Sequence, residues 1–315
     1  MYETEFDMKS SLASCTAALI LLAGASAIAQ DSLWTARAGT IFLHRTNSSA
    51  PLVVNAGGAT TFSASQLDFN TEFGFEGVLT RQASNGNALE FRYFQIDGWK
   101  SAGTQSFAFN DGLATNPPTP LLVAGSLTAV YQSELHSGEV NLILPISSWL
   151  NMSAGFRWVE IDELLQQTIS YPALGTLDFG IDTDNHLYGF QLGADGLLIS
   201  RGSLDINIFA KGGIFANVAD QNTIFRNNIV PELFTPGISN TDVAFLSELG
   251  VSTTLYLNST WSIAAGYQAM WIEGVALAPD QIPNMSNRAA GFAPSRLDMS
   301  GIFYQGGFIS LVGTL

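Results

Sequence analysis

The sequence has almost no cysteine: Cys15 is the single one among 315 residues. It lies in an N-terminal apolar segment that we expect to be removed, which leaves the mature chain without any. A disulfide framework, a thiol nucleophile and a cysteine metal site are therefore excluded for the mature chain.

Charge is also scarce, and basic charge most of all. Charged residues make up 12% of the chain, and 27 acidic against 12 basic residues give a net charge of −15. This balance argues against binding to nucleic acid or docking on an anionic lipid surface. H-E-x-x-H, G-x-S-x-G and phosphate-binding glycine motifs are missing as well, so we expect neither an enzyme nor a cofactor.

Long apolar runs are confined to the N-terminus. Residues 1–7 are acidic and are interpreted as an over-extended start. Met8 and Lys9 then precede an apolar run over residues 12–28, and Ala27-Ile28-Ala29 before Gln30 has the small-x-small pattern of a cleavage site. An uncleaved membrane anchor is the alternative, but the run is short and rich in Ala, Ser and Gly. We predict a signal peptide over 1–29 and a single mature domain over 30–315.

What the mature chain does have is alternation of apolar and polar residues. The segments 139–144, 155–163 and 185–193 each alternate with a period of two, the pattern of strands with two differently solvated faces. Extending this pattern predicts about ten strands, over 34–44, 69–82, 89–100, 127–146, 152–162, 185–199, 204–217, 243–257, 261–273 and 302–315.

Four short turns and five long loops alternate between these strands, and the segment 163–183 is one of the long loops. A secreted β-sandwich shares the composition but has no reason to sort its loops in this way. The alternation predicts an all-β fold, a transmembrane antiparallel up-and-down β-barrel with short periplasmic turns and long outer loops. The predicted location is the outer membrane, with its lipids and the barrel insertion machinery as partners.

The alternation also assigns faces to the side chains. Phe69, Phe73 and Ile206 would face lipid, and near Gly138 the parity of the apolar residues changes, which predicts a β-bulge there. Tryptophans near strand ends suit the two interfacial girdles. These are Trp34, Trp99, Trp149, Trp158, Trp261 and Trp271.

Polar residues in the inward register form the candidate site. They are Glu72, Glu76, Glu90, Arg92, Glu139, Asn141, Arg157, Gln191, Asp205, Lys211 and Glu248, with Asp195 in the same register. One interpretation is a narrow, acidic conduit for small polar solutes or cations. The other is a structural network bridged by Arg92, Arg157 and Lys211, which a narrow barrel with a filled interior favours.

A second polar cluster falls at the predicted outer rim. It contains Glu160, Asp162, Glu163, Asp178, Asp182, Asp184 and His186. Carboxylates beside a histidine offer an alternative function, an outer-membrane hydrolase with a rim site, or a calcium site. The spacing matches no calcium loop, however, and His186 falls in the outward register, so an interfacial histidine is favoured.

Several of these segments resemble a known family. The matching residues are Glu139 with Asn141, Gly155-Phe156-Arg157, the run 185–189, and Lys211-Gly212-Gly213-Ile214. In these the chain resembles the porin-7 family of outer-membrane proteins over most of its length after residue 33. The resemblance implies an outer-membrane barrel, and it implies neither a transport substrate nor catalytic residues.

Overall fold

The structure, a computed structural model, describes residues 33–115, 118–121, 123–172, 174–227, 237–288 and 291–314. The predicted signal peptide and its cleavage site lie outside these residues, as does Leu315. Within the described ranges no helix is long and apolar enough to cross a membrane.

The described chain is almost entirely β-structure. The strands are β1 (Leu33–Arg45), β2 (Pro51–Val54), β3 (Thr60–Ser63), β4 (Glu72–Gln82), β5 (Ala88–Phe107), β6 (Gly112–Leu113), β7 (Thr119–Pro120), β8 (Gly125–Pro145), β9 (Leu150–Tyr171), β10 (Gly175–Arg201), β11 (Leu204–Asn227), β12 (Gly237–Tyr256), β13 (Trp261–Ala276), β14 (Met285–Arg288), β15 (Gly291–Pro294) and β16 (Met299–Thr314). Two 3-10 helices span Ala64–Gln66 and Ala278–Asn284.

Ten of these strands close into one antiparallel barrel, in the order β1-β16-β13-β12-β11-β10-β9-β8-β5-β4, with β4 paired back to β1. The predicted fold, an up-and-down barrel of about ten strands, is confirmed. Four short turns, at 83–87, 146–149, 202–203 and 257–260, lie at one end, here called the short-turn end. The opposite end carries the other connections and is called the long-loop end.

The strands extend much farther toward the long-loop end than the sequence indicated. The predicted loop 163–183 is wrong: β9 runs to Tyr171, β10 begins at Gly175, and the two pair throughout. Apolar side chains at Leu165 and Ile181 continue the alternation and are buried inside. At 22 and 27 residues, β9 and β10 are about twice the 9–11 residues that cross a bilayer.

A belt of exposed apolar side chains surrounds the half of the barrel nearer the short-turn end. Phe190 and Leu192 on β10 are 77% and 66% exposed. Aromatic residues mark its edges, with Trp149 and Trp261 toward the short turns and Trp271 and Tyr188 on the other side. Such a band between aromatic girdles is the outer surface of a membrane-spanning barrel.

Beyond this belt the outer face of the barrel is polar and the inner face is apolar, the reverse of the arrangement within the belt. The same alternate residues of each strand still point outward. On β9, Phe156 faces out within the belt, whereas farther along Val159 and Ile161 are buried inside and Asp162 faces out. Water replaces lipid outside the barrel there, so the apolar residues move to the interior.

This exchange explains why the predicted bulge at Gly138 is wrong. Strand β8 pairs with β9 without any register shift, because its apolar residues before Gly138 fill the interior and those after it face lipid. The bulge in this region lies instead in β5, between Ile96 and Trp99. Gly98 adopts a φ of 103° there, a backbone conformation that favours glycine.

Two further predictions about apolar side chains are also wrong. Trp99 is not in a girdle: it is fully buried, with its ring centre 5.6 Å from that of Tyr304. Phe69 does not face lipid: it precedes β4 and packs on Tyr131, with ring centres 4.9 Å apart.

The long-loop end is covered. A four-stranded sheet in the order β3-β2-β6-β7 and the helix Ala278–Asn284 lie over the interior. Their apolar side chains join the buried residues of the upper barrel in one core, among them Leu52, Val53, Phe62, Leu113, Leu277 and Ile282. Within the described residues, side chains therefore fill the barrel interior at this end.

Candidate functional site

The centre of the polar interior is Arg92 on β5, whose guanidinium contacts four side chains. It donates from Nε to Glu76 Oε1 at 2.8 Å, from Nη1 to Glu139 Oε1 at 3.0 Å and Glu248 Oε1 at 2.7 Å, and from Nη2 to Gln268 Oε1 at 3.0 Å. Because these partners come from β4, β8, β12 and β13, the contacts cross the lumen.

Arg157 on β9 completes this arrangement and is fully buried. Its Nη1 donates to Glu248 Oε2 at 2.7 Å and lies 3.4 Å from Glu139 Oε1, while Nε donates to Ser137 Oγ at 2.9 Å. Arg92, Glu139, Arg157 and Glu248 thus form a closed ring of alternating charge, here called the lumen ring. A buried guanidinium cannot lose its proton, and here each one has carboxylate acceptors.

Glu139 is the most heavily bonded member of the ring. Its Oε2 accepts from Lys211 Nζ at 2.7 Å, from Gln191 Nε2 at 2.7 Å and from Asn141 Nδ2 at 3.0 Å. Gln191 also donates to Asn141 Oδ1 at 2.9 Å. These contacts connect β8, β10 and β11, so the ring and its neighbours tie one wall of the barrel together.

Three of the sequence-predicted site residues lie outside this arrangement. Glu72 begins β4 opposite Leu43, and no ion pair reaches it within the described ranges. Asp205 accepts a hydrogen bond from Tyr256 Oη at 2.9 Å near the short turns. Glu90 touches the group only through Asn141 Nδ2, at 3.4 Å.

The structure also adds residues that the sequence reasoning missed. Arg37 Nη2 lies 3.3 Å from Glu76 Oε1, and Gln268 and Ser137 accept from the two arginines. Alternation along β1 places Arg37 on the inward face, and its charge is the signal that could have found it. Gln268 and Ser137 also lie in the inward register, but they carry no charge that would single them out.

A second buried group lies between the ring and the covered end. Arg45 Nη1 lies 2.6 Å from Glu163 Oε1, and Tyr131 Oη donates to Glu163 Oε2 at 2.7 Å. The backbone N–H of Ala278 donates to the same oxygen at 2.8 Å. Glu163 therefore faces inward and anchors the covering segment, so its assignment to an outer rim cluster is wrong.

Apolar side chains occupy the interior between these two polar groups. Phe94, Leu187, Leu246 and Ile272 are all at most 2% exposed. The ring touches this core directly, since Arg157 Nη2 lies 3.3 Å from Met270 Sδ. An ion crossing the barrel would meet both a charge network and an apolar layer.

The other rim residues lie on the outer wall beyond the apolar belt. The following carboxylates are directly opposite one another across four strands: Glu134, Asp162, Asp184 and Asp220. Burial, Glu160 and Asp184 raise the pKa of Asp162 to about 7. Burial and Asp184 raise the pKa of Asp182 to about 6.

Two histidines adjoin this row. His186 Nδ1 lies 3.6 Å from Glu160 Oε1, and His136 Nε2 lies 3.3 Å from Asp97 Oδ1. Ligand atoms of Asp97, Glu134 and His136 lie within 4.8 Å of one another, the convergence a divalent cation would require. All of these groups are on the convex outside of the barrel and are partly exposed.

A cavity of about 270 Å³ lies between the lumen ring and the short-turn end. Glu76, Arg92 and Gln268 form its inner wall, and Asn151, Met152 and Ser153 at the start of β9 lie toward the short turns. Among the residues that the structure describes, the interior on this side of the ring thus combines polar side chains with open space.

Comparison with known proteins identifies the fold. No family model matches the chain, and no curated protein sequence is similar to it. Among solved structures it is similar to the outer membrane protease OmpT from Escherichia coli, with a TM-score of 0.52 and 8% identity over 92% of this chain and 99% of that one. The likeness to OmpT shows the outer-membrane β-barrel fold alone.

Other outer-membrane barrels are similar at lower scores. The translocator domain of the autotransporter NalP from Neisseria meningitidis has a TM-score of 0.39 and 7% identity, and 96% of each chain is covered. Ail, the attachment invasion locus protein of Yersinia pestis, has a TM-score of 0.29 and 8% identity over 90% of this chain and 99% of that one.

Proposed function

We propose that this chain is an outer-membrane barrel with a closed lumen, which serves the cell envelope as a structural barrel rather than as an open porin. The observation that carries the proposal is the lumen ring. Its four side chains are at most 6% exposed, and they connect strands across the barrel. A conducting barrel needs a continuous hydrated path at this level.

Energetics supports the closed state. Opening a path through the ring would separate buried charge pairs, and leaving one such charge without its partner costs about 3–5 kcal/mol. The apolar layer around Phe94 and Ile272 adds a second barrier, because narrow apolar constrictions exclude water and ions. Each barrier opposes permeation independently of the other.

The placement in the cell is part of the same proposal. The resemblance to the porin-7 family and the likeness to OmpT support an outer-membrane location, with the apolar belt in contact with lipid. The short turns would then face the periplasm and the covered end the outside. Residues 1–29 would be removed on export, so mass spectrometry of the outer-membrane fraction should find Gln30 at the N-terminus.

The hydrolase alternative has weaker support. Glu163, one of its candidate carboxylates, pairs with Arg45 inside the barrel. The remaining pair, His186 and Glu160, is 3.6 Å apart on a convex wall and does not line an inward cleft. OmpT is a protease, but 8% identity transfers no activity to this chain.

Swelling of reconstituted liposomes tests the closed lumen. Vesicles containing the protein should swell in an arabinose solution no faster than protein-free vesicles. An open sixteen-stranded porin, reconstituted in the same way, provides the positive control. Swelling at a rate comparable with that porin would contradict the proposal.

A further inference from the structure

The cavity beside the lumen ring has the chemistry of a binding site. It lies at the end of the barrel that the cover does not reach, and charged side chains from several strands converge on it. We propose that it binds a short-chain amino alcohol in its cationic form, with the hydroxyl at the inner wall and the ammonium group beside Glu90 and Asp195.

The charges favour a cation. Four basic residues, Arg37, Arg92, Arg157 and Lys211, pair with the three carboxylates of Glu76, Glu139 and Glu248. Glu90 and Asp195 also line the cavity, and within the described part of the chain no ion pair reaches either carboxylate. Five carboxylates against four cations leave one negative charge in excess.

The inner wall carries both an unpaired acceptor and an unpaired donor. Among the residues that the structure describes, none pairs with Glu76 Oε2 or Gln268 Nε2, although these two residues are only 0% and 1% exposed. Glu76 Oε1 and Gln268 Oε1 both accept from Arg92, so the two side chains flank the same guanidinium. A buried polar atom left without a partner costs free energy, which a ligand bound there would recover.

A hydroxyl group fits this pair better than an ammonium or a carboxylate group does. It donates one hydrogen bond, which Glu76 Oε2 accepts, and it accepts one, which Gln268 Nε2 donates. Methylene groups between the hydroxyl and the ammonium group would lie along Ile143, Phe209 and Phe308, which form apolar parts of the wall. A single amino alcohol would thereby neutralise the excess negative charge, form hydrogen bonds with the two unpaired atoms and cover the apolar part of the wall.

Calorimetric titration of the detergent-solubilised protein at pH 7 tests this assignment. The probes are 2-aminoethanol, 4-aminobutan-1-ol and 6-aminohexan-1-ol, with the n-alkylammonium ions and n-alkanoates of equal chain length for comparison. At least one amino alcohol should bind at least about five-fold more tightly than its alkylammonium counterpart, the effect of about one hydrogen bond. The alkanoates should not bind.

Variants locate the site. Glu90→Gln and Asp195→Asn should each weaken binding by about ten-fold, whereas Asp205→Asn, on a nearby carboxylate outside the cavity, should leave it unchanged. Heat-modifiable migration on gels verifies that each variant is folded. The proposal is overturned if no amino alcohol binds, if alkylammonium ions bind equally well so that water suffices at the inner wall, or if Asp205→Asn weakens binding as much as Asp195→Asn.

Discussion

Arg92 and Glu248 lie on diametrically opposite strands of the ten-stranded ring, yet Arg92 Nη1 is 2.7 Å from Glu248 Oε1. A contact of this kind is possible only where side chains occupy the full width of the lumen. It fixes the distance between the two walls, and Arg157 reinforces it from a third strand.

Removal of Arg157 should therefore destabilise the barrel. Arg157→Ala leaves Glu248 Oε2 and Glu139 short of a buried partner, and we expect a loss of about 3–5 kcal/mol in the free energy of unfolding. Urea unfolding in lipid vesicles measures this. Arg201→Ala, at the exposed end of β10, is the matched control and should change stability by less than about 0.5 kcal/mol. Equal stability of both variants would mean that the ring is hydrated.

The exchange of faces along β9 gives a second prediction. Phe156 and Gln166 both point outward from this strand, the first within the apolar belt and the second beyond it. Phe156→Arg should reduce the stability of the inserted barrel by about 2–4 kcal/mol if it lies near the bilayer midplane. Gln166→Arg should be nearly neutral, since its side chain is in water. Equal tolerance at both positions would contradict the assigned belt.

The alternation in the sequence sufficed to predict the ten strands and the four short turns, because both depend on local patterns. It did not predict where the surroundings of the barrel change from lipid to water. In the sequence, the apolar residues change from odd positions such as Leu135 to even positions such as Val140. Only the three-dimensional position of the belt shows that Leu135 is a core residue and that Val140 faces lipid. The predicted bulge at Gly138 attributed this change to local backbone structure, whereas its cause is the change from lipid to water around the barrel.

The candidate site was predictable in part for the same reason. Period-two alternation gives the inward register of a charged residue, and Arg92, Glu139 and Arg157 lie together in the lumen. Alternation does not give the height of a residue along the barrel, so Glu72 and Asp205 share the register but lie near opposite ends of it. Partners across the lumen, such as Gln268, depend on closure of the barrel and have no local signal.

The position of Trp99 can be tested by fluorescence in vesicles of brominated lipids, whose acyl chains quench tryptophans at the membrane surface of a protein. Trp271 is 42% exposed at the edge of the belt, whereas Trp99 is buried inside. Trp271→Phe should lower the quenched fraction of the total fluorescence, and Trp99→Phe should not. A lower quenched fraction in the Trp99→Phe variant would show that Trp99 lies in the girdle.

The carboxylate row on the outer wall should make stability depend on pH. The pKa of Asp162 is raised from 3.8 to about 7, so the folded state binds its proton more tightly than the unfolded state does. This contribution to stability is complete below about pH 4 and is lost as the pH rises to about 7. Protonation of Asp162 as the pH is lowered from 8 to 5 should therefore increase the free energy of unfolding of the barrel.

Asp162→Asn isolates this effect. Asp162 lies opposite Glu134 and Asp184, and removing each like-charge pair should add about 0.2–1 kcal/mol at pH 8 and almost nothing at pH 4. Asp242→Asn, on an exposed carboxylate opposite Asn217, serves as the control and should show no such pH-dependent gain. A gain that is equal at both pH values would exclude charge repulsion as its cause.

Single-channel recording in planar bilayers tests the closed lumen most directly. Purified protein inserted at high salt should give no sustained current steps, since the lumen ring and the apolar layer beyond it leave no hydrated path. Insertion is verified independently by heat-modifiable migration of protein recovered from the same preparation. Regular ohmic steps from the folded wild-type protein would show that ions pass through the ring, and would contradict the account.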